Sequence, residues 1–196
     1  MSAPELPDRR QLDFESVYDQ FHAKIRRYLD RLVGASESED VTQEVFVKVS
    51  QALPTFRGDS NLSTWMYRIA TNTAYDKLRS PSSRRVGEPV EHDAILDDSP
   101  AAEQKLVRQE MNDCIGGYIS RLPPTYRAVL ILSEQQDLTN QEIADALGVT
   151  VDTVKIRLHR ARARLKKELG DGCDFYRDDR NELACDPKRQ GVSRRD

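Results

Sequence analysis

The stretch from Leu138 to Leu169 restricts the possible fold more than any other part of this chain. Thr139 is followed three positions later by Glu142, the spacing at which a hydroxyl and a carboxylate satisfy each other's backbone N–H groups at a helix start. Ile143, Ala144 and Leu147 then supply a short apolar face. Gly148 can take the left-handed conformation that ends a helix sharply, and Thr150 or Asp152 can cap the next helix. In that next helix Val154, Leu158, Ala161 and Leu165 recur at steps of four, three and four, one narrow stripe that pins the helix to a neighbour. The spacing therefore predicts two helices joined at a glycine bend.

The remaining surface of the second helix is basic. Lys155, Arg157, Arg160, Arg162, Arg164, Lys166 and Lys167 stand against Asp152 and Glu168, a local balance of +5. The whole chain has 30 Lys and Arg against 33 Asp and Glu, so this face is a local footprint for phosphate on an otherwise acidic chain. Two capped helices and a bend suit a helix-turn-helix, whose second helix enters a major groove. Lys155, His159 and Arg160 lie early enough on the open side to approach base edges, while Arg157, Arg162 and Arg164 suit the phosphate backbone. A solvated basic helix packed on a neighbour is the plainer alternative.

Upstream the pattern is also helical. Phe14, Val17, Tyr18, Phe21, Ile25, Tyr28, Leu29 and Leu32 fall at helical spacings, ended by Gly34 and Ser36. A second helix carries Val41, Val45, Phe46, Val49 and Leu53 on one side and stops at Pro54. After a polar bridge from Phe56 to Ser63, a third runs from about Trp65 to Leu78. Between Val86 and Gln104 there are six acidic residues, two prolines and no Lys or Arg, the composition of an extended tether. Helical patterning resumes near Ala102 through Leu106, Met111, Cys114, Ile115 and Ile119, and Pro123 and Pro124 open a further helix. No strand is predicted. The fold class is all-α: two small helical domains, 12–80 and 105–169, joined by a flexible acidic linker over 81–104 and followed by a tail, 170–196.

Several classes are excluded or disfavoured. No apolar run reaches the roughly 18 residues of a membrane span, and Met1 to Gln11 carries prolines and mixed charge in place of a signal segment, so the expectation is a cytoplasmic chain without membrane insertion. There is no nucleophile motif, phosphate-cradling loop or HExxH site, which argues against an enzyme and implies no cofactor. A two-domain regulator that binds DNA as a two-fold dimer is the competing binding-protein reading.

The first half holds a second constellation. Phe56, Arg57, Gly58 and Asp59, with Trp65, Tyr67, Arg68, Asn72, Tyr75, Lys77 and Arg79, bring rings, amides and cations together, a mixture that can stack unpaired bases. Trp65 and Tyr67 can equally fill a small helical core. Among the three cysteines, Cys114 reads as a small apolar packer beside Ile115. The eleven residues between Cys173 and Cys185 match no zinc signature. Two readings of the tail stand side by side: an irregular solvated extension with no metal, or a metal or redox site joined by Asp174, Asp179 or His159.

DVTQEVFVKV beginning at Asp40, FRGDSNLSTWMYRIATNTAYDKLR beginning at Phe56, and LTNQEIADALGVTVDTVKIRLHRARARLK beginning at Leu138 together resemble the extracytoplasmic-function sigma factors. These are compact alternative specificity subunits of bacterial RNA polymerase, and the resemblance covers about residues 12 to 80 and 105 to 169. It implies a first domain that attaches to core polymerase through Asp40, Gln43, Glu44, Phe46 and Lys48. It places Phe56, Ile69 and Asn72 around a captured minus-10 base, with Tyr75 and Arg79 as further strand contacts. It maps minus-35 recognition onto Lys155, Ile156, His159 and Arg160, where Ile156 departs from the smaller polar residue frequent in relatives and suits a thymine methyl. Promoter DNA, core polymerase and an anti-sigma factor are the implied partners, and the free chain is expected to be a monomer.

Overall fold

The computed structural model describes residues 13–80, 111–112, 114–177 and 183–188. The acidic linker over 81–104 and the helical patterning of 105–110 lie outside these residues.

Helix α1 spans Phe14–Val33, and Asp13 caps it by accepting from the Ser16 N–H. Gly34, at φ 96°, separates it from α2 (Ala35–Ala52), and a short 3-10 turn, Leu53–Thr55, follows around Pro54. Asn61 caps α3 (Leu62–Arg79) by accepting from the Ser63 N–H. The expected stripes face inward: Val17, Phe21, Ile25, Tyr28, Leu29 and Leu32 of α1 meet Val41, Val45 and Val49 of α2 and Met66, Ala70 and Ala74 of α3. One polar chain crosses this core. Tyr28 donates to Thr71 Oγ1 at 2.7 Å, and Thr71 donates in turn to the Tyr67 carbonyl at 2.7 Å. A buried hydroxyl is thereby satisfied at each step.

The second unit begins with helical residues 111–112 and 114–120, here α4, which runs through Gly116 and Gly117. Helices α5 (Pro124–Glu134), α6 (Asn140–Leu147) and α7 (Val151–Gly172) follow. In α5 the consecutive residues Ala128 to Leu132 are all buried. A helix covered on so much of its circumference needs neighbours on more than one side, and α5 packs against α1 as well as against α6 and α7. The two helical units consequently share one continuous hydrophobic core.

The tail departs from the irregular extension that its composition suggests. Helix α7 continues to Gly172, and an antiparallel hairpin follows, β1 (Cys173–Arg177) and β2 (Leu183–Pro187), with Phe175 opposite Cys185. Its strands, five residues each, are too short for sequence periodicity to mark them. No helix among the described residues is long and apolar enough to cross a membrane.

Candidate nucleic-acid interface

The helix-turn-helix forms as its local chemistry demands. Glu142 Oε2 accepts from the Thr139 N–H at 2.9 Å and from its hydroxyl at 2.8 Å, while the Glu142 N–H donates to Thr139 Oγ1 at 3.3 Å. These bonds hold the Glu142 carboxyl below its ordinary range, the backbone N–H contributing most. Gly148 sits at φ 63° and ψ 38°, and the Val149 N–H closes the end of α6 onto the Ala144 carbonyl at 3.0 Å. Of the two candidate caps for α7 it is Thr150 that accepts from the Thr153 N–H, at 3.2 Å, whereas Asp152 lies 3.8 Å from Lys155 Nζ. Val154, Leu158 and Ala161 are buried and Leu165, the last of the expected stripe, is half-buried against the core, so the stripe seats α7 and leaves the basic side outward.

On that outward side Lys155, Ile156, His159, Arg160 and Arg164 are exposed. Ile156, 52% exposed, is an apolar side chain set among cations with nothing covering it. A groove of about 480 Å³ runs along α7 to the start of α6, lined by Asn140, Lys155, His159, Arg162 and Lys166 among others. Two expected cations differ from the rest. Arg162 is engaged by Glu134 Oε1, at 3.1 Å from Nε and 2.5 Å from Nη2, and Arg157 is half-buried.

In the first unit Phe56 and Trp65 pack with ring centroids 4.9 Å apart, just after Gly58 turns the bridge at φ 77°. Ile69 is half-buried one turn away, and Asn72 and Arg79 are exposed. Trp65 packs against the core and Tyr67 is 2% exposed, so both serve packing and Tyr67 is closed to a base. Tyr75 is half-buried, and its hydroxyl is buried with no hydrogen-bond partner among the described residues. Burial raises its pKa, opposed by the nearby charges of Arg157 and Arg79. Arg157 and Tyr75, expected on different DNA elements, thus lie near enough in this arrangement for the charge of one to act on the other.

On α2, Asp40, Gln43 and Glu44 are exposed, and Lys48 is held by Glu44 at 2.7 Å and Thr73 Oγ1 at 3.1 Å. Phe46 lies on the inner face of α2, as its place in the apolar pattern predicts, and not beside the exposed Asp40, Gln43 and Glu44. It is 4% exposed, with its ring edge-on to Tyr18 at 4.8 Å, so it supports the helix from inside. The apolar side chain that α2 shows outward is Val47, 55% exposed, which sequence reasoning missed although its position out of phase with Val45 and Val49 marks it. Arg127 was missed as well. Its Nη1 donates to the Leu32 carbonyl at 2.6 Å and its Nη2 to the carbonyls of Ser120 and Leu122, tying α1 to the second unit.

Cys114 also differs from expectation: its sulfur stands 3.9 Å from Cys173 Sγ, and Cys185 completes the group. Asp174 and His159 do not join it, and Asp179 lies outside the described residues.

Residues 17–85 match the family described as Sigma-70 region 2, and residues 112–165 match Sigma-70, region 4. The chain is 33% identical to the RNA polymerase sigma factor SigZ of Bacillus subtilis over 170 residues, covering 86% of this chain and 93% of SigZ. It is 36% identical to the RNA polymerase sigma-H factor of Pseudomonas aeruginosa over 178 residues, covering 84% and 92%. The chain belongs to the extracytoplasmic-function sigma factors. The ECF sigma-E factor of Escherichia coli is a further relative at 32% identity, covering 81% of this chain and 87% of that protein. In fold, this sigma factor is similar to RpoE in complex with the anti-sigma factor NepR from Bartonella quintana, with a TM-score of 0.64, 20% identity, and 81% and 97% of the two chains covered. It is similar also to CnrH in complex with the cytosolic domain of CnrY, with a TM-score of 0.57, 23% identity, and 81% and 88% covered. As a member of this family it recruits RNA polymerase and recognises promoters, and it is a regulatory, non-catalytic subunit.

Proposed function

We propose that this sigma factor reads one promoter in two physical forms, with a separate unit for each. Lys155, Ile156, His159 and Arg160 meet base edges of the paired minus-35 element, and Arg157, Arg162 and Arg164 hold its phosphates. Phe56, Ile69 and Asn72 receive an unpaired minus-10 base, with Tyr75 and Arg79 along the strand. Asp40, Gln43, Glu44 and Lys48 dock on core polymerase, with Val47 added and Phe46 acting from beneath. The units correspond to residues 12–80 and 105–169.

The observation that carries this reading is the open face of α7, where an exposed isoleucine and three cations, Lys155, Arg160 and Arg164, lie beyond the apolar stripe that seats the helix. Phosphate attraction gives affinity, and contacts to base edges give selection. Unstacking and unpairing a base costs a few kcal/mol, which contacts in the minus-10 pocket offset. Because the two units share one hydrophobic core and are tied by the Arg127–Leu32 and Tyr67–Gln136 hydrogen bonds, they part when both bind DNA, and polymerase docking supplies the energy and geometry for that separation. The chain acts in the cytoplasm, as a monomer when free. An anti-sigma factor that holds the units together is a fitting partner, since the structure of the similar RpoE contains one.

Selection from a randomised promoter pool with the reconstituted holoenzyme tests the proposal. Two conserved blocks at a fixed spacing are expected. A single conserved block, or selection without need for core polymerase, contradicts it.

A further inference from the structure

Three cysteines far apart in the sequence converge beside the foot of α7. Cys114 lies on α4, Cys173 opens β1 directly after α7, and Cys185 lies within β2. Cys114 and Cys173 have their sulfurs 3.9 Å apart, and all three sulfurs lie within 4.8 Å of one another. The backbone brings this about. Cys173 is opposite Pro187 and Phe175 is opposite Cys185, so Cys173 and Cys185 are diagonal neighbours on one face of the hairpin. Lys188 anchors the return: its N–H donates to the Gly172 carbonyl at 2.9 Å and its Nζ to the Gly170 carbonyl at 2.6 Å. These are carbonyls that the end of α7 leaves without helical partners.

A lone two-stranded hairpin is marginal in water. Among the described side chains this one buries only Cys173 and Ala184, while Phe175 and Tyr176 stay 43% and 46% exposed. Apolar burial is therefore a weak hold, which a cross-link at the cysteines would strengthen.

We propose that Cys114, Cys173 and Cys185 form a thiolate site for a soft d10 cation, Zn(II) or Cu(I), which clips the C-terminal hairpin to α4 and the end of α7. No His, Asp or Glu joins the group among the described residues, and an all-sulfur donor set selects soft ions over Mg(II) or Ca(II). Metal–sulfur bonds of about 2.3 Å put two ligand sulfurs of one ion about 3.8 to 4.0 Å apart, the separation that Cys114 and Cys173 already have. Cys173 is 3% exposed, whereas Cys114 and Cys185 are half-buried and leave a way in.

Binding exchanges thiol protons for the ion and moves no electrons. Tyr118 supports the site from outside. Its hydroxyl lies 3.5 Å from Cys173 Sγ and accepts from the thiol; once Cys173 is a thiolate the hydroxyl donates to it instead. Gly172 provides the room, because a Cβ there would collide with the Tyr118 hydroxyl.

The test uses the full chain, freed of metal and kept reduced with a phosphine, titrated with Zn(II) and separately with Cu(I) against competing chelators. One ion per chain is expected for at least one of the two metals, with affinity falling about tenfold or more in Cys114→Ser and in Cys185→Ser. Co(II) serves as a spectroscopic substitute, and its sulfur-to-metal charge-transfer band should be present in the parent and absent in Cys185→Ser. That substitution lies in the hairpin outside the helical core, and unchanged helical circular dichroism verifies that the variant is folded. Failure of both ions to bind at one per chain overturns the proposal, as does parental affinity in the folded Cys185→Ser variant.

Discussion

Tyr67 of α3 donates its hydroxyl to Oε1 of Gln136 at 2.5 Å, joining the first helical unit to the one that carries the helix-turn-helix. Burial pushes the Tyr67 hydroxyl up to about 12, so it remains a donor across the working pH range. Together with the Arg127 guanidinium on the Leu32 carbonyl, this bond gives the junction polar specificity that a purely apolar contact lacks.

Arg127→Met should therefore be costly for its size. It leaves the carbonyls of Leu32, Ser120 and Leu122 without a charged donor, a loss of about 2 to 3 kcal/mol. Urea unfolding of the purified chain measures this, and a midpoint equal to the parent's contradicts the assignment.

Gly148→Ala isolates backbone strain. A Cβ at Gly148 meets nothing within 4 Å, so the cost is that of holding a non-glycine residue at φ 63°, about 1 to 2 kcal/mol. Gly148→Asn should lose less, because asparagine enters the left-handed region more readily. Equal unfolding midpoints for parent and Gly148→Ala would remove the bend's dependence on glycine.

Glu142 predicts a pH signature. Its folded pKa lies below the ordinary 4.5, so its contribution is fully present above that value and is lost as pH falls through the folded pKa. The stability gap between the parent and Glu142→Gln should be constant near neutrality and close as the solution is acidified below about 4.5. Urea midpoints across that range give the answer, and a gap that persists unchanged in acid counts against the capping role.

Much of this was legible in the sequence because it is local. The Thr139 and Glu142 box, the Gly148 bend and the Val154, Leu158, Ala161 stripe depend on residues within two turns of each other, and the structure reproduces each. Relationships across long separations were not legible. Nothing near Cys114 announces a partner 59 positions on, and nothing near Arg127 points to Leu32. Phe46 was legible in one respect: its place among Val41, Val45 and Val49 marks the inner face, and its ring does pack there, edge-on to Tyr18. The hairpin of Cys173–Arg177 and Leu183–Pro187 escaped because these five-residue strands lack the alternation that marks a buried face.

Arg160 and Arg164 are both exposed on α7, and they should differ in effect. Arg160→Ala should cost about 1 to 3 kcal/mol on the preferred minus-35 sequence and flatten discrimination at one base pair. Arg164→Ala should weaken all sequences alike and lower the salt dependence. Holoenzyme binding to a panel of single-base variants at two salt concentrations distinguishes them, and an unchanged base profile for Arg160→Ala rejects its reading role.

The division of labour between paired and unpaired DNA is tested most directly by strand opening in the reconstituted holoenzyme, read from a fluorescent base placed in the minus-10 non-template strand. Asn72→Ala should slow opening about tenfold, a barrier increase near 1.4 kcal/mol, while leaving affinity for an isolated minus-35 duplex as in the parent. Opening at the parental rate, or an equal loss in duplex affinity, would contradict the account.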